Sequence, residues 1–518
     1  MMKINIRINN KKIEVEEGIT VHKAAEQAGI KIPVMCENDE VEHFSSCMVC
    51  LVKDVSTGKL FPSCSMLVQE GMDILADDDE VLEARKISLE LLLSEHVGDC
   101  EAPCVISCPA HMDIPLMNRL LEEGKDAEAI KVIKKDIALP AVLGRICPAP
   151  CEAACRRKGI DGAVSICLLK RYAADRDLKG EAFNPDIASD TGKSIAIIGS
   201  GPAGLAAAYY LKIRGHMVKL FEREDRAGGE LRTGELKRKL PVDVLDREID
   251  EILKTGVEFL PGSNISKAEF EELLKKEDAV ILASGKNPPD TDWGLEMGQK
   301  GIMADRNTYQ TSNPKVFAIG NALRVSKLAV RSVGQGKEAA FAVDQLLSGE
   351  NIIGEYRKFN SRFGKLTEKE QAEFLKEATK DKRIEPYKGM DNGFLEEEAR
   401  TESARCMHCD CRKKDACLLR DLSDLYNASQ RSFYADSRVE TEKHIHHEYV
   451  IYEPAKCIKC GICVRLTRKY KEKYGLSFIG RGFDVRIGVP FNEELNAGLS
   501  KTAEIVVEAC PTGALSKK

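Results

Sequence analysis

The sequence predicts a multidomain protein that combines α+β modules with an α/β module. The chain has 518 residues, enough for roughly three to four domains. Its 19 cysteines fall into four tight groups, at 36–64, 100–167, 406–417 and 457–510. Between the second and third groups, residues 194–204 are typical of an apolar strand that leads through a glycine-rich turn into a helix.

The composition excludes several classes of protein. Lys and Arg total 77 against 83 Asp and Glu, a net charge of −6, so there is no basic field to attract nucleic acid. The chain contains no run of 18 apolar residues, the length that could span a membrane. The first residues alternate like a strand and lack the apolar block of a signal peptide. We therefore expect a cytoplasmic protein with no nucleic-acid partner and no membrane insertion.

The cysteines predict metal binding. Their odd number excludes complete intramolecular pairing, and structural disulfides are rare in the reducing cytoplasm. Cysteines scattered through a core would not fall into four short stretches. Closely spaced thiols are typical of iron–sulfur or zinc sites.

The first group lies in a predicted β-grasp domain at residues 1–80. Residues 3–8 and 11–16 alternate around Asn9-Asn10, which indicates a hairpin, and 20–29 follow a helical pattern that ends at Gly29. The spacing C-x10-C-x2-C-x13-C predicts a [2Fe–2S] site, with zinc as the alternative, at Cys36, Cys47, Cys50 and Cys64. With Cys50-Leu-Val and Glu70-Gly-Met, the segment resembles the N-terminal domain of the complex I large iron–sulfur subunit and of iron-only hydrogenases.

The second group lies in a predicted helical domain at 81–190. After a helix at 80–95 come eight potential ligands, the number that two [4Fe–4S] clusters need: His96, Cys100, Cys104, Cys108, Cys147, Cys151, Cys155 and Cys167. The stretches CPAHMDIPLMNRLLEEG and LPAVLGRICPAPCEAAC resemble the iron–sulfur domain of the glutamate synthase small subunit and of dihydropyrimidine dehydrogenase.

That resemblance implies interleaved ligand sets. One cluster would take His96, Cys100, Cys104 and Cys155, and the other Cys108, Cys147, Cys151 and Cys167. The spacing of the first stretch departs from the family, so a sequential arrangement, 96–108 and 147–167, stays open. His96 could equally be a surface histidine at a helix end.

A flavin-binding, Rossmann-like domain is predicted at 191–350. The turn residues Gly199, Gly201, Pro202, Ala203 and Gly204 would let a pyrophosphate approach the helix N-terminus, and Glu222, 18 residues beyond Gly204, would bind the ribose. The stretch that ends in Gly320-Asn321 resembles the second flavin motif of the same family, with Asn where Asp is usual. Arg223, Gly229 and Gly285 complete the residues expected at an FAD.

In the glutamate synthase small subunit, an NADPH-binding domain interrupts the flavin fold. Here only 22 residues, 286–307, separate Gly285 from Thr308, and a βαβ unit needs about 30 or more. No second GxGxxG occurs in the chain. We therefore expect an FAD domain that lacks the NADPH domain.

The third group follows a stretch at 351–402 that is predicted to be a solvated, charged helical linker. In the segment 403–448, a [4Fe–4S] cluster or a zinc ion would be held by Cys406, Cys409, Cys411 and Cys417. We expect His408 to support or flank this site, and His444, His446 and His447 to form a polar turn.

The fourth group predicts a ferredoxin-like [4Fe–4S] domain at 449–518. Its ligands would be Cys457, Cys460, Cys463 and Cys510, while Thr467 stands where a second cluster's cysteine would be. CIKCGICVRL, FIGRGFDV and CPTGAL resemble the ferredoxin domain of the complex I large subunit.

These expectations amount to one [2Fe–2S] cluster, four [4Fe–4S] clusters (with zinc as the alternative at the 406–417 site) and one FAD, with no catalytic residue of the chain's own. Iron–sulfur clusters carry single electrons and a flavin converts between one- and two-electron transfers, so we expect the chain to move electrons. The resemblances imply an electron-transfer subunit of a cytoplasmic oxidoreductase complex in an anaerobe. Its partners would be an FMN- and NAD-binding subunit, a thioredoxin-like [2Fe–2S] subunit, ferredoxin, and a catalytic subunit of the hydrogenase or formate dehydrogenase type, with electron bifurcation as an option.

Three alternatives stay open. A stand-alone flavoenzyme would reduce a small molecule at the FAD. A glutamate synthase-like reductase subunit would bind its own hydride donor. A zinc-stabilised scaffold would be colourless and would lack flavin.

Overall fold

The alternating N-terminus forms the predicted hairpin. In the computed structural model, which describes residues 2–180, 183–234, 239–286, 293–433 and 438–518, β1 (Lys3–Ile8) pairs antiparallel with β2 (Lys11–Glu16). Asn9 and Asn10 have φ values of 48° and 63°, the left-handed pair that a tight hairpin turn requires.

The described chain packs as two units. The first contains Met1–Ala102, Lys358–Glu377 and His408–Lys518, and the second contains Pro103–Arg357 and Ala378–Met407. The cysteine groups at 100–167 and 406–417 therefore each contribute residues to both units. Within each unit, segments that are distant in sequence thus pack together.

The first unit begins with a five-stranded sheet. Helix α1 (Val21–Gln27) follows the hairpin and is capped by the Thr20 hydroxyl, which accepts from the Lys23 N–H. The sheet has the order β2-β1-β5-β3-β4, with β3 (Leu51–Asp54), β4 (Leu60–Pro62) and β5 (Asp73–Leu75). Helix α2 (Asp79–Glu95), capped by Asp78, ends at His96.

The second unit opens with short helices whose ends carry the cysteines. They are α3 (Pro103–Ser107), α4 (Ile114–Glu122), α5 (Asp126–Asp136), α6 (Pro140–Ile146), α7 (Pro150–Ala153) and α8 (Ile166–Lys179). Cys108 follows α3, Cys147 caps the C-terminus of α6, and Cys167 lies in the first turn of α8.

A parallel sheet follows in the same unit. Its elements are β6 (Ser194–Ile198), α9 (Pro202–Ile213), β7 (Met217–Phe221), α10 (Glu230–Thr233), α11 (Val242–Lys254), β8 (Glu258–Leu260), α12 (Lys267–Lys276) and β9 (Ala279–Leu282). The sheet is completed by β12 (Val316–Ala318) and has the order β12-β9-β6-β7-β8, with every neighbouring pair parallel. Helix α13 (Ala329–Leu347) packs on α9. The strand order reverses between β9 and β6, where α/β sheets bind their ligands.

The segment 286–307 is described except for 287–292. Its described part contains one short hairpin, β10 (Met297–Gly298) with β11 (Gly301–Ile302). The part of the chain that the structure describes between β9 and β12 thus holds no βαβ unit.

The charged stretch 351–402 is not a continuous solvated helix. It contains α14 (Glu368–Leu375) in the first unit and most of α15 (Glu396–Ser403) in the second. Glu370 and Glu402 are fully buried and pair with Arg438 and Arg405. The charged composition predicted that this stretch is exposed to solvent, but these two carboxylates are buried and form ion pairs with arginines.

The C-terminal part of the first unit is built from α16 (Leu418–Leu425), β13 (Val450–Tyr452), α17 (Ile462–Lys469), β14 (Ser477–Ile479), β15 (Arg486–Gly488), α18 (Leu495–Gly498), α19 (Ala503–Ala509) and β16 (Leu515–Lys517). Two antiparallel pairs, β13 with β16 and β14 with β15, frame it. Across the described residues, none of the helices combines the length and apolarity needed to cross a bilayer.

We predict that Glu402→Gln destabilises the second unit strongly. The Glu402 carboxylate accepts from the Arg405 guanidinium at 2.8 Å and from the N–H groups of Ser165 and Ile384 at 2.8 and 2.9 Å. An amide would leave the buried guanidinium with only Asp161, a carboxylate that it shares with Arg157, so we expect a loss of about 2–3 kcal/mol. Denaturant unfolding measures the loss. The exposed Glu272→Gln, which breaks a surface pair with Lys275, should leave the midpoint unchanged.

Candidate functional site

The glycine turn between β6 and α9 has the geometry of a dinucleotide site. A Cβ on Gly204 would lie 1.9 Å from the Gly199 carbonyl oxygen, so only glycine permits this helix–turn packing. A Cβ on Gly201, in contrast, would meet no described atom within 4 Å. The free space at Gly201, at the N-terminus of α9, fits a pyrophosphate approaching the main chain.

Glu222 directly follows β7 and reaches back to this turn. Its carboxylate accepts from the Ser200 N–H at 3.0 Å and from the Ser200 hydroxyl at 2.5 Å. The side chain is buried, as an acidic residue that orders a nucleotide-binding turn would be. The neighbouring Arg223 is exposed and pairs with Glu224.

The second flavin stretch lies at the same edge of the sheet. A Cβ on Gly320, which follows β12, would come within 3.0 Å of the Ala203 Cβ, and one on Gly229 within 3.0 Å of the Gly201 Cα. The Asn321 amide donates to Glu230 at 3.2 Å, and its oxygen accepts from the Ser326 N–H at 2.8 Å.

The carboxyl ends of parallel strands share one edge, which explains why residues this far apart in sequence converge. The predicted flavin residues that lie at this edge are Gly199, Gly201, Pro202, Ala203, Gly204, Glu222, Arg223, Gly229, Gly285, Gly320 and Asn321.

Four cysteines of the second unit surround a buried lysine. Cys108, Cys147, Cys151 and Cys167 are the set that the interleaved arrangement assigns to one cluster. Lys170, one turn beyond Cys167 on α8, is 3% exposed, and no carboxylate pairs with it among the described residues. Burial lowers the pKa of this ammonium, but the four thiolates outweigh burial and raise it. An unpaired buried ammonium is costly, so the site is built to carry negative charge.

The N-terminal cysteines are in mutual contact within the first unit. The Sγ atoms of Cys50 and Cys64 lie 3.0 Å apart, and the hydrogen bond between them lowers the pKa of Cys50. Hydrogen bonds from Cys47 and Cys64 hold the pKa of Cys36 far below its usual value. His43, whose Nε2 lies 3.0 Å from the Cys64 Sγ, is a neighbour that the cysteine spacing did not reveal.

The C-terminal cysteines line one cavity. Its walls include all four predicted ligands, Cys457, Cys460, Cys463 and Cys510. Burial raises the pKa of Cys457 to about 11 and that of Cys460 to about 12. Thr467 is buried and holds a turn, since its hydroxyl donates to the Val464 carbonyl and accepts from the Leu476 N–H.

The structure divides the 406–417 group. Cys406 lies beside Cys155 in the second unit, where its thiolate adds to the burial that raises the pKa of Cys155. Cys411 and Cys417 belong to the first unit, near Cys100. Neither ligand arrangement derived from the sequence includes these neighbours.

The histidines near these cysteines have different roles. His408, next to Cys409, is buried, and its backbone has a φ of 42°. His447 forms a turn, because its Nδ1 accepts from the N–H groups of Tyr449 and Val450 at 2.9 and 3.0 Å. His444 stacks on Tyr452.

Within the described residues, no three His, Cys, Asp or Glu side chains are arranged around one point as a single metal ion would need. A polynuclear cluster differs in this respect, because its ligands are spread around several iron atoms.

Four family models match successive parts of the chain. They are the 2Fe-2S iron-sulfur cluster binding domain at 1–79, the dihydropyrimidine dehydrogenase domain II with its 4Fe-4S cluster at 94–182, the pyridine nucleotide-disulphide oxidoreductase at 156–336, and the ferredoxin-like domain of NADH-quinone oxidoreductase subunit 3 at 448–516. These models describe iron–sulfur and oxidoreductase domains. Together with the glutamate synthase relative described next, they confirm the predicted combination of complex I-type ends with a glutamate synthase-type middle.

Curated relatives match over part of their length. The NADPH-Fe(3+) oxidoreductase subunit beta of Geobacter sulfurreducens is 39% identical over 208 residues, 39% of this chain and 31% of the relative. The NADP(+)-dependent formate dehydrogenase subunit beta of Moorella thermoacetica is 37% identical over 207 residues, 36% of this chain and 29% of the relative. The glutamate synthase [NADPH] small chain of Bacillus subtilis is 40% identical over 180 residues, 34% of this chain and 36% of the relative. The matched regions thus span about a third of each relative.

Gly201→Ala should abolish flavin binding without unfolding the protein. The new Cβ meets no described atom but occupies the space that a pyrophosphate would need. We expect flavin content to fall by about tenfold or more with iron content unchanged, and the unfolding midpoint to equal that of the parent protein stripped of its flavin, because bound flavin itself raises the midpoint. Gly180→Ala, whose Cβ makes ordinary contact with the Arg176 carbonyl at 3.5 Å, is the matched control. Full flavin content in Gly201→Ala would contradict this assignment.

Lys170→Met should lower the reduction potential of a cluster held by the surrounding cysteines. A positive charge favours the more negative, reduced form. At an effective dielectric of about 20, one charge at about 8 Å is worth roughly 2 kcal/mol, on the order of 100 mV for one electron. A redox titration followed by EPR measures the shift, and Lys170→Arg should keep most of the original potential. Equal potentials in all three proteins would show that Lys170 does not act on a cluster.

Proposed function

We propose that this chain is the electron-transfer iron–sulfur flavoprotein subunit of a multisubunit oxidoreductase. It would carry one [2Fe–2S] cluster, four [4Fe–4S] clusters and one FAD. Electrons would pass through it between an NAD(H)- and FMN-binding partner, ferredoxin and a catalytic metal subunit.

The observation that carries this proposal is the packing of a cysteine group against the flavin fold. A Cβ on Gly334 of α13 would lie 2.5 Å from the carbonyl oxygen of Pro109, the residue after Cys108. One turn further, the buried Lys337 ammonium donates to the Ala110 carbonyl at 3.2 Å. Helix α13 follows the Gly320-Asn321 stretch, so one helix supports both sites, and electron transfer favours such neighbours.

When bound, a flavin exchanges electrons singly or in pairs, and iron–sulfur clusters carry them singly. The chain's own residues bind, orient and charge-balance these groups. Gly201 leaves room for the pyrophosphate, Glu222 orders the turn, and Lys170 offsets the charge of four thiolates. The 22 residues of 286–307 are too few for a second nucleotide domain, so we assign nicotinamide chemistry to a partner.

The names of the relatives favour particular partners. A beta subunit of an NADP(+)-dependent formate dehydrogenase and one of an NADPH-Fe(3+) oxidoreductase both match this chain. We therefore propose a formate dehydrogenase-type catalytic subunit first and a hydrogenase-type subunit second, beside an FMN-binding subunit and a thioredoxin-like [2Fe–2S] subunit. The proposal also includes electron bifurcation with ferredoxin, at this FAD or at the partner's FMN.

Anaerobic reduction of the purified full chain tests this function. Iron should be about 18 atoms per chain, with one FAD and no zinc. Chemically reduced ferredoxin should bleach the flavin, whereas NADH or NADPH added to the chain alone should not. The Gly201→Ala variant, with iron but no flavin, identifies which absorbance change belongs to the flavin.

The outcomes separate the alternatives. Flavin bleaching by NADPH on the isolated chain would support a glutamate synthase-like reductase and contradict the proposal. Turnover of a small-molecule acceptor without partners would support a stand-alone flavoenzyme. A colourless protein that contains zinc would contradict the proposal and would support the zinc-stabilised scaffold.

A further inference from the structure

The chain segment that follows α2 is fixed by contacts within the first unit. The Val97 N–H donates to the Ala455 carbonyl at 2.8 Å, and the Cys411 N–H donates to the Cys100 carbonyl at 3.1 Å. A Cβ on Gly98 would lie 2.7 Å from the Lys456 Cε, so the segment packs closely on that side chain. These contacts bring cysteines of the second and third sequence groups together.

Three buried thiols meet at this place. Cys100, Cys411 and Cys417 are 7%, 6% and 5% exposed. The Cys411 and Cys417 thiols lie near the Cys100 thiol. Gly513 leaves room beside them, since a Cβ there would lie 2.2 Å from the Cys411 Sγ.

His96 is a buried imidazole with one nitrogen unused. It is 9% exposed, and its Nδ1 has no hydrogen-bond partner among the described residues. The ring lies near Lys456, whose ammonium lies near the Cys411 thiol. A histidine binds a metal through a free ring nitrogen, as a neutral imidazole.

An unpaired buried ring nitrogen is destabilising, and metal ligation would remove that cost. The surface-histidine interpretation does not fit this environment.

We propose that His96, Cys100, Cys411 and Cys417 together hold one [4Fe–4S] cluster with mixed His and Cys ligation. The set lies entirely within the first unit and joins two sequence groups that spacing treats as separate. It rests on the iron–sulfur content proposed above. The buried Lys456, paired with Glu453 at 2.5 Å, adds positive charge beside the site, as Lys170 does in the second unit.

This ligand set changes the assignment of the 406–417 group. Cys406 then belongs to a different cluster from Cys411 and Cys417, which agrees with its position near Cys155 in the second unit. A zinc ion at 406–417 is then no longer expected, because two of the four cysteines that it would need bind the cluster with His96 and Cys100. Five clusters still account for all 19 cysteines and His96.

Pulsed EPR on the reduced full chain, labelled with ¹⁵N-histidine, tests the histidine ligand. We expect one cluster signal to show a histidine nitrogen coupling. His96→Cys should abolish that coupling while iron stays at about 18 atoms per chain, since a thiolate replaces the imidazole. His444→Cys, a matched change at a histidine outside the set, should keep the coupling. Absence of any histidine coupling in the parent protein would overturn the ligand set.

Serine variants test the three cysteines. Cys100→Ser, Cys411→Ser and Cys417→Ser should each remove the nitrogen-coupled signal and about 4 iron atoms, whereas Cys406→Ser should leave that signal in place. If Cys406→Ser and Cys411→Ser removed one signal and Cys100→Ser another, the inference would be wrong while the proposed function stood. A chain without iron would contradict both.

Discussion

The balance between buried thiolates and buried lysines is the constraint on which the rest of this structure depends. Lys170 and Lys456 are each 3% exposed, in different units. Burying an ammonium costs several kcal/mol unless opposite charge lies beside it. For Lys170 that charge comes from four thiolates, and for Lys456 it comes from Cys411, Glu453 and Asp410. Around Lys170, where no carboxylate pairs with the ammonium among the described residues, the helices therefore have to bring cysteine sulfurs together, whereas Glu453 supplies part of the balancing charge at Lys456.

This constraint explains how the second unit combines two cofactor sites. Cys108 and Cys151 belong to the same apolar core as Ala203 and Ala207 of the flavin fold. The core holds the helix ends that carry the cysteines and the helix N-terminus that faces the pyrophosphate space. One apolar core thus positions both candidate sites within this unit.

Local patterns predicted the parts of the fold that local chemistry decides. The Asn9-Asn10 hairpin, the end of α1 near Gly29, and the strand–turn–helix at Gly199–Gly204 all follow from neighbouring residues. The meeting of Cys100 with Cys411 was not predictable, because it depends on tertiary packing between distant segments. Glu402 was predicted to lie in a solvated linker for the same reason. Lys170 carries no spacing signal, and only the three-dimensional arrangement shows its role.

The central claim is that the gathered thiols hold iron–sulfur clusters and not single metal ions. Mössbauer spectroscopy of the ⁵⁷Fe-enriched, anaerobically purified full chain measures this most directly. We expect roughly one ninth of the iron absorption from a [2Fe–2S] centre and the remainder from [4Fe–4S] centres, with about 18 iron atoms per chain. Iron far below that number, with zinc at the cysteine groups, would contradict the account.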